Sequence, residues 1–207
     1  MSERPRAAVL VSGGGSTAAN LVELDRAGQL AASIAVVVAH RRDIGAVPRC
    51  EAIGVTVAVI DGAPGEDASN RLDDLLRAHQ IDLVLLGGYL RRFRVGPWSG
   101  RALNIHPALL PNFGGKGMHG DRVHRAVLDA GAHESGCTVH LVDEEYDHGP
   151  TVLQRIVPVL AGDTVATLGE RVRAAERIAY PEAIARWVEM RSASAGSATA
   201  CSPRTCP

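Results

Sequence analysis

The stretch Ala7-Ala-Val-Leu-Val11-Ser12-Gly13-Gly14-Gly15-Ser16-Thr17 decides the fold. A short apolar run reads as a strand, and a helical apolar pattern follows through Ala27. Strand, glycine loop and helix form the opening βα unit of a nucleotide- or phosphate-binding α/β fold. Glycines let backbone N–H groups approach an anion, and the helix N-terminus behind them favours negative charge. The loop lacks the Lys of a Walker A sequence and is not a full G-x-G-x-x-G. A tight turn with no ligand is the other reading.

Downstream the same alternation continues. Strands are expected at Ile34–Ala39, Thr56–Ile60, Asp82–Leu86 and Ala102–Ile105, with helices at Gly45–Ile53 and Ala68–His79. On the second helix Leu72, Leu75 and Leu76 share one face, and Asp73, Asp74 and Arg77 another. Arg91–Gly100 reads as an irregular basic connection. The spacing predicts a mostly parallel sheet with helices on both faces. The second half differs: a glycine-rich loop at Asn112–Gly120, a helix capped by Asp121, then strands Cys137–Val142 and Thr151–Val159 joined by 143–150. That arrangement suits an antiparallel extension of the sheet. Asp163 or Thr164 caps a last helix that Pro181 should bend. One domain is expected over residues 1–190, and a Ser/Ala-rich disordered tail over 191–207.

The 207 residues carry a net charge of −1 and 3% aromatics, so neither a nucleic-acid surface nor an anionic membrane surface is indicated. The longest apolar run, Ile34–Ala39, is too short to span a bilayer, and the N-terminus has no signal-peptide core. Cytoplasm is the expected compartment. The four cysteines form no Cys-x-x-Cys, and the eight histidines show no helical ligand spacing, so no metal site is expected.

Four groups are candidates for chemistry. In Arg101-Ala-Leu-Asn104-Ile-His106-Pro107, strand alternation puts Asn104 and His106 on one face at the strand's exit, where Pro107 stops the ladder. They form either a reaction centre or a strand cap with a satisfied histidine. His140 shares a face with Thr138 and reads first as a packed, hydrogen-bonded core residue. The run Asp143-Glu-Glu-Tyr-Asp147-His-Gly-Pro150 reads as a solvated hairpin loop, unless one carboxylate returns to His106 and favours its charged form. Glu176 lies beside the apolar stripe of the last helix. It serves as a salt-bridge partner for Arg171, Arg173 or Arg177, or else as a ligand for an amine.

Several motifs, in this order, resemble the phosphoribosylglycinamide formyltransferases of the folate-dependent formyltransferase superfamily. They are Val9-Leu-Val-Ser-Gly-Gly-Gly-Ser16, Asp82-Leu-Val-Leu-Leu-Gly-Gly-Tyr-Leu-Arg91, Leu103-Asn-Ile-His-Pro-Ala-Leu-Leu-Pro111, Gly136-Cys-Thr-Val-His140, Asp147-His-Gly-Pro150 and Tyr180-Pro-Glu-Ala-Ile184. They span roughly residues 7–189. The resemblance implies a Rossmann-like formyltransferase fold and a formyl transfer from 10-formyltetrahydrofolate to the amine of 5-phosphoribosylglycinamide, in purine biosynthesis. It implies Asn104, His106 and Asp147 as the catalytic trio, with His140 in support. It implies Gly15, Ser16, Thr17 and Glu176 as the amine substrate's site. It implies Leu90, Arg91, Arg92, Phe93, Asn104, Asp143 and Asp147 as the lining of the folate pocket. The implied partners are a phosphate-bearing amine and folate, with a homodimer allowed and no metal. In that chemistry Asn104 and a protonated His106 donate to the oxyanion while Asp147 keeps His106 charged.

The chain departs from the family pattern on the acceptor and folate sides. Thr17 stands where Asn is common and Gly14 where Asn or Ser is. An Arg usual after the third strand is missing near Gly65, and Ala175-Glu176-Arg177 replaces Gln-Glu-His. Arg92-Phe93 replaces an apolar pair. Formyl transfer to a different amine is therefore the alternative, followed by a non-catalytic homologue that kept the fold.

Overall fold

The computed structural model describes residues 4–198. Seven strands form one sheet: β1 (Arg6–Val11), β2 (Ser33–Ala39), β3 (Val57–Val59), β4 (Leu83–Leu86), β5 (Ala102–His106), β6 (Glu134–Leu141) and β7 (Thr151–Pro158). Their spatial order is β3-β2-β1-β4-β5-β6-β7. The pairs from β3 through β5 are parallel, while β5–β6 and β6–β7 are antiparallel. The helices are α1 (Ser16–Arg26), α2 (Ala46–Ala52), α3 (Glu66–Ala78), α4 (Asp121–Asp129) and α5 (Val165–Ala198). The mostly parallel sheet with an antiparallel C-terminal extension agrees with the expectation.

Strand alternation divides the core in two. Ala7, Val9 and Val11 face one side with Leu21 of α1, Val47 of α2, Val127 of α4 and Leu168, Val172 and Tyr180 of α5. Ala8 and Leu10 face the other side with Leu72 and Leu76 of α3. Phe93, Val95 and Trp98 cover the rest of that face, so the basic connection 91–100 is a packed wall. Asp73 belongs to it: the carboxylate is buried and accepts hydrogen bonds from Trp98 Nε1 (2.9 Å) and from Arg94. Helical periodicity had placed Asp73 on a polar face, and tertiary packing of the connection overrides that placement.

Most element edges shift from the expected bounds by a residue or two, and β6 by more. β6 begins at Glu134, not Cys137, because Glu134, Ser135 and Gly136 pair with Pro158, Val157 and Ile156. Gly136 permits it, since a Cβ there would stand 2.1 Å from the Arg155 carbonyl oxygen. Gly120, not Asp121, occupies the N-cap of α4, and Asp121 sits in the first turn, where the helix dipole still favours its charge. Thr164 caps α5, its Oγ1 accepting from the Thr167 N–H at 3.2 Å.

Pro181 lies inside α5 and cannot donate to the Arg177 carbonyl. Asn20 Nδ2 on α1 donates to that carbonyl instead (3.3 Å), which ties the two helices together. α5 continues to Ala198, so residues 191–198, expected to be disordered, lie on the helix; Ser192 Oγ bonds back to the Val188 carbonyl at 3.0 Å. Residues 199–207 of that tail lie outside the described residues. Among the described residues no helix is long and apolar enough to cross a membrane.

Candidate active site

β1 is flanked by β2 on one side and β4 on the other, so the loops leaving β1 and β4 diverge. Ligands of open α/β sheets bind at such a switch point. Here it opens into a cavity of about 620 Å³. Every site residue expected from the sequence lines it: Gly15, Ser16, Thr17, Leu90, Arg91, Arg92, Phe93, Asn104, His106, His140, Asp143, Asp147 and Glu176.

The floor is built by antiparallel register. Asn104 pairs with His140 and His106 with Thr138, so these four polar side chains share one face of β5 and β6. Thr138 Oγ1 donates to the Ala108 carbonyl (2.7 Å) and accepts from the Leu110 N–H (3.0 Å), which fixes the chain just past His106. Tyr180 of α5 reaches through the core and donates to the Leu103 carbonyl at 2.9 Å and the Leu86 carbonyl at 3.2 Å, locking β5 just before Asn104.

Asp147 returns from the β6–β7 connection into this floor. Its φ of 56° is a left-handed conformation that Asp and Asn tolerate better than most residues. One oxygen, Oδ2, lies 3.4 Å from His106 Nδ1 and accepts the Gly115 N–H at 3.0 Å. The other, Oδ1, lies 3.2 Å from Asn104 Nδ2 and 3.6 Å from His140 Nε2. His140 Nδ1 donates to the Leu141 carbonyl (2.8 Å), so its Nε2 carries a lone pair and accepts from Asn104 Nδ2 at 3.1 Å. Two acceptors therefore hold the Asn104 amide with its nitrogen inward.

The resting charge state of the floor differs from the expectation that Asp147 keeps His106 protonated. Burial pulls the His106 pKa down, and Asp147 and the Phe113 carbonyl only partly oppose it. Burial pushes the other way on Asp147, but the opposing interactions, the Gly115 N–H among them, outweigh it and hold the carboxyl below its usual value. At rest the pair is a carboxylate beside a neutral imidazole. Yet both ring nitrogens face acceptors, with Nε2 at 2.9 Å from the Phe113 carbonyl oxygen. Only the doubly protonated ring satisfies both, so the site is built to receive a proton.

Glycine-loop residues and α5 close one end. Gly15 has φ 72°, and a Cβ there would stand 2.6 Å from Ala46 Cβ; only glycine lets α2 pack against this turn. Facing the loop from α5 are Arg173 and Glu176. Burial raises the Glu176 pKa to about 7, with Arg173 opposing. Among the described residues Glu176 has no ion-pair partner, since Arg171 pairs with Asp163 at 2.6 Å. The other end has two walls, Leu90–Phe93 and Asp143–Asp147, joined by Arg92 and Glu144 at 3.7 Å. Leu90 is fixed by its N–H on Ser12 Oγ (2.9 Å). Arg91 turns away to the Gly62 carbonyl (2.7 Å), on the rim of a second cavity of about 540 Å³.

Residues 5–184 match the family model described as formyl transferase. The chain belongs to the formyl transferase family. It is 40% identical over 195 residues to the chloroplastic phosphoribosylglycinamide formyltransferase of Arabidopsis thaliana, covering 91% of this chain and 67% of that one. The counterpart of Vigna unguiculata is also 40% identical, over 91% of this chain and 62% of its own. The chain thus spans about two thirds of the length of these two relatives. Among solved structures, glycinamide ribonucleotide transformylase 1 from Symbiobacterium toebii superposes with a TM-score of 0.82 at 38% identity, over 89% of this chain and 87% of that chain.

Several residues of this formyl transferase cavity escaped sequence reading. Arg173 was weighed only as a salt-bridge partner, although three residues before Glu176 on a helix is the same face, and that spacing was available. His124 carried no motif of its own. Lys116, the only lysine in the chain, also lines the cavity. Among the described residues no three His, Cys, Asp or Glu side chains gather as a metal-binding set.

Proposed function

We propose that the protein transfers the formyl group of 10-formyltetrahydrofolate to the primary amine of 5-phosphoribosylglycinamide, a step of purine biosynthesis in the cytoplasm. The observation that carries this reading is the buried Asn104–His106–His140–Asp147 network on the floor of one cavity, with a glycine loop and Glu176 at its far end. The cavity volume lies in the range that holds drug-sized ligands. Its apolar wall residues, Leu90, Phe93 and Val142, suit a flat heteroaromatic donor, and its glycine loop suits a phosphate.

The amine nitrogen attacks the formyl carbon, a C–N bond forms, and the carbonyl electron pair moves to oxygen. One Asn104 N–H stays with His140; the other, which points toward Asp147 Oδ1 at rest, is shared with the oxyanion, where such a donor is worth about 3 kcal/mol. The proton lost by the amine passes to the Asp147–His106 pair, which gains both of its hydrogen bonds by accepting it. Collapse of the oxyanion breaks the bond to the folate nitrogen, and the pair returns the proton there. No side chain becomes covalently attached.

The test is an acceptor panel with isotopically labelled formyl donor, read by mass spectrometry. Label on glycinamide ribonucleotide is expected. Label confined to another amine would move the acceptor while keeping the chemistry, and label only in free formate would overturn the transfer.

A further inference from the structure

His124 is a buried polar group beside the cavity that the chemistry above leaves unused. It lies on α4, is 2% exposed and lines the cavity. Its Nδ1 is sealed from solvent with no hydrogen-bond partner, and among the described residues its Nε2 makes no hydrogen bond either. Buried polar groups are almost always bonded; with Nδ1 sealed, Nε2, on the side of Arg173, is the nitrogen that a ligand in the cavity can partner.

The ring's setting says which ligand. Gly169 of α5 makes room for it: a Cβ there would stand 3.0 Å from His124 Cδ2, 3.3 Å from His124 Nε2 and 3.1 Å from Arg173 Nη1. The imidazole and the guanidinium therefore flank the same bare stretch of helix. Arg173 lines the main cavity and also a small recess shared with Ser16 and Thr17, so it stands beside the glycine loop. Burial lowers the His124 pKa, Arg173 and His106 lower it further, and Asp121 opposes. The neutral ring has one N–H to donate and adds no second cation next to Arg173.

We propose that His124 completes the phosphate subsite of the amine substrate, donating one imidazole N–H to a phosphate oxygen held between Arg173 and the Gly15–Thr17 loop. This rests on the reading that the acceptor carries a phosphate.

Three variants test it: His124→Leu, which keeps packing and removes the donor; His124→Gln, which keeps a donor; and Gly169→Ala, which crowds the ring. His124→Leu is expected to raise KM for glycinamide ribonucleotide about tenfold, the worth of a hydrogen bond to a charged group, with kcat and the folate KM changed by less than about twofold. His124→Gln should recover most of the loss, and Gly169→Ala should reproduce it. The dephosphorylated acceptor should be used equally by wild type and His124→Leu. An unchanged KM, or an equal rise for both acceptors, would overturn the proposal. Calorimetry with ribose 5-phosphate needs no turnover and separates the two readings. If wild type does not formylate glycinamide ribonucleotide, weaker ribose 5-phosphate binding by His124→Leu still supports the subsite, and equal binding overturns it.

Discussion

Asp147 gathers the site: one carboxylate holds Asn104, faces two histidines and accepts a backbone N–H from the Gly115 loop. Asp147→Asn keeps the size and the tolerance of a φ of 56°, so the fold should survive while the negative charge is lost. The expected loss in kcat is on the order of a hundredfold or more, with little change in the KM for either substrate. A second residue gives a pH signature. The Glu176 pKa is raised by burial to about 7, so between its ordinary value and pH 7 the folded chain binds a proton that the unfolded chain has lost. Stability from this group is full at low pH and falls as pH rises through 7. Glu176→Gln should remove that slope, worth on the order of 1–2 kcal/mol after allowance for partial exposure. Denaturant midpoints at pH 5 and pH 8 would read it, and parallel wild-type and variant curves would contradict it. Asn104 and His106 were legible because a period of two needs no tertiary knowledge. Asp147 was legible only through the family resemblance, since its return from the β6–β7 connection depends on how a hairpin packs. Arg173 could have been placed by its three-residue spacing from Glu176, whereas His124 was not legible as a site residue, because sequence does not say which neighbour a helix face will meet.

At the scale of elements, two buried contacts hold the walls and floor in place. Asp73 on α3 anchors Arg94 and Trp98, and with them the connection that carries Leu90–Phe93. Asp73→Ala leaves the Trp98 N–H buried without its acceptor and should cost about 2 kcal/mol, seen as a lower denaturant midpoint, together with a higher KM for the folate donor. A stability loss with an unaltered folate KM would separate the anchor from the wall it is said to hold. Tyr180→Phe should cost about 1 kcal/mol, because the Leu86 and Leu103 carbonyls share that one donor. The alternation of strands and helices was readable from apolar runs and punctuation. The burial of Asp73 and the extension of β6 through Gly136 were not, because each depends on a partner distant in sequence: the Arg94–Trp98 segment in one case, β7 in the other.

At the scale of the molecule, a parallel sheet that reverses its growth between β1 and β4 opens a cavity, and the antiparallel β5–β6 pair supplies a polar floor to it. Phosphate-binding loop, reacting floor and apolar wall thus belong to three different parts of one sheet, brought together by topology. The α/β class and the opening βα unit could be read from 11 residues at the N-terminus. The joining of all candidate residues around one cavity could not, since it follows from strand order, which no local pattern encodes. The most direct measurement is steady-state turnover of the full chain with 10-formyltetrahydrofolate and glycinamide ribonucleotide, for wild type beside Asp147→Asn. Formylated glycinamide ribonucleotide produced by the wild type, and lost with an intact fold in the variant, is the expected result. Equal turnover by both proteins, or no product from the wild type at saturating substrates, would contradict formyl transfer to that amine at this site.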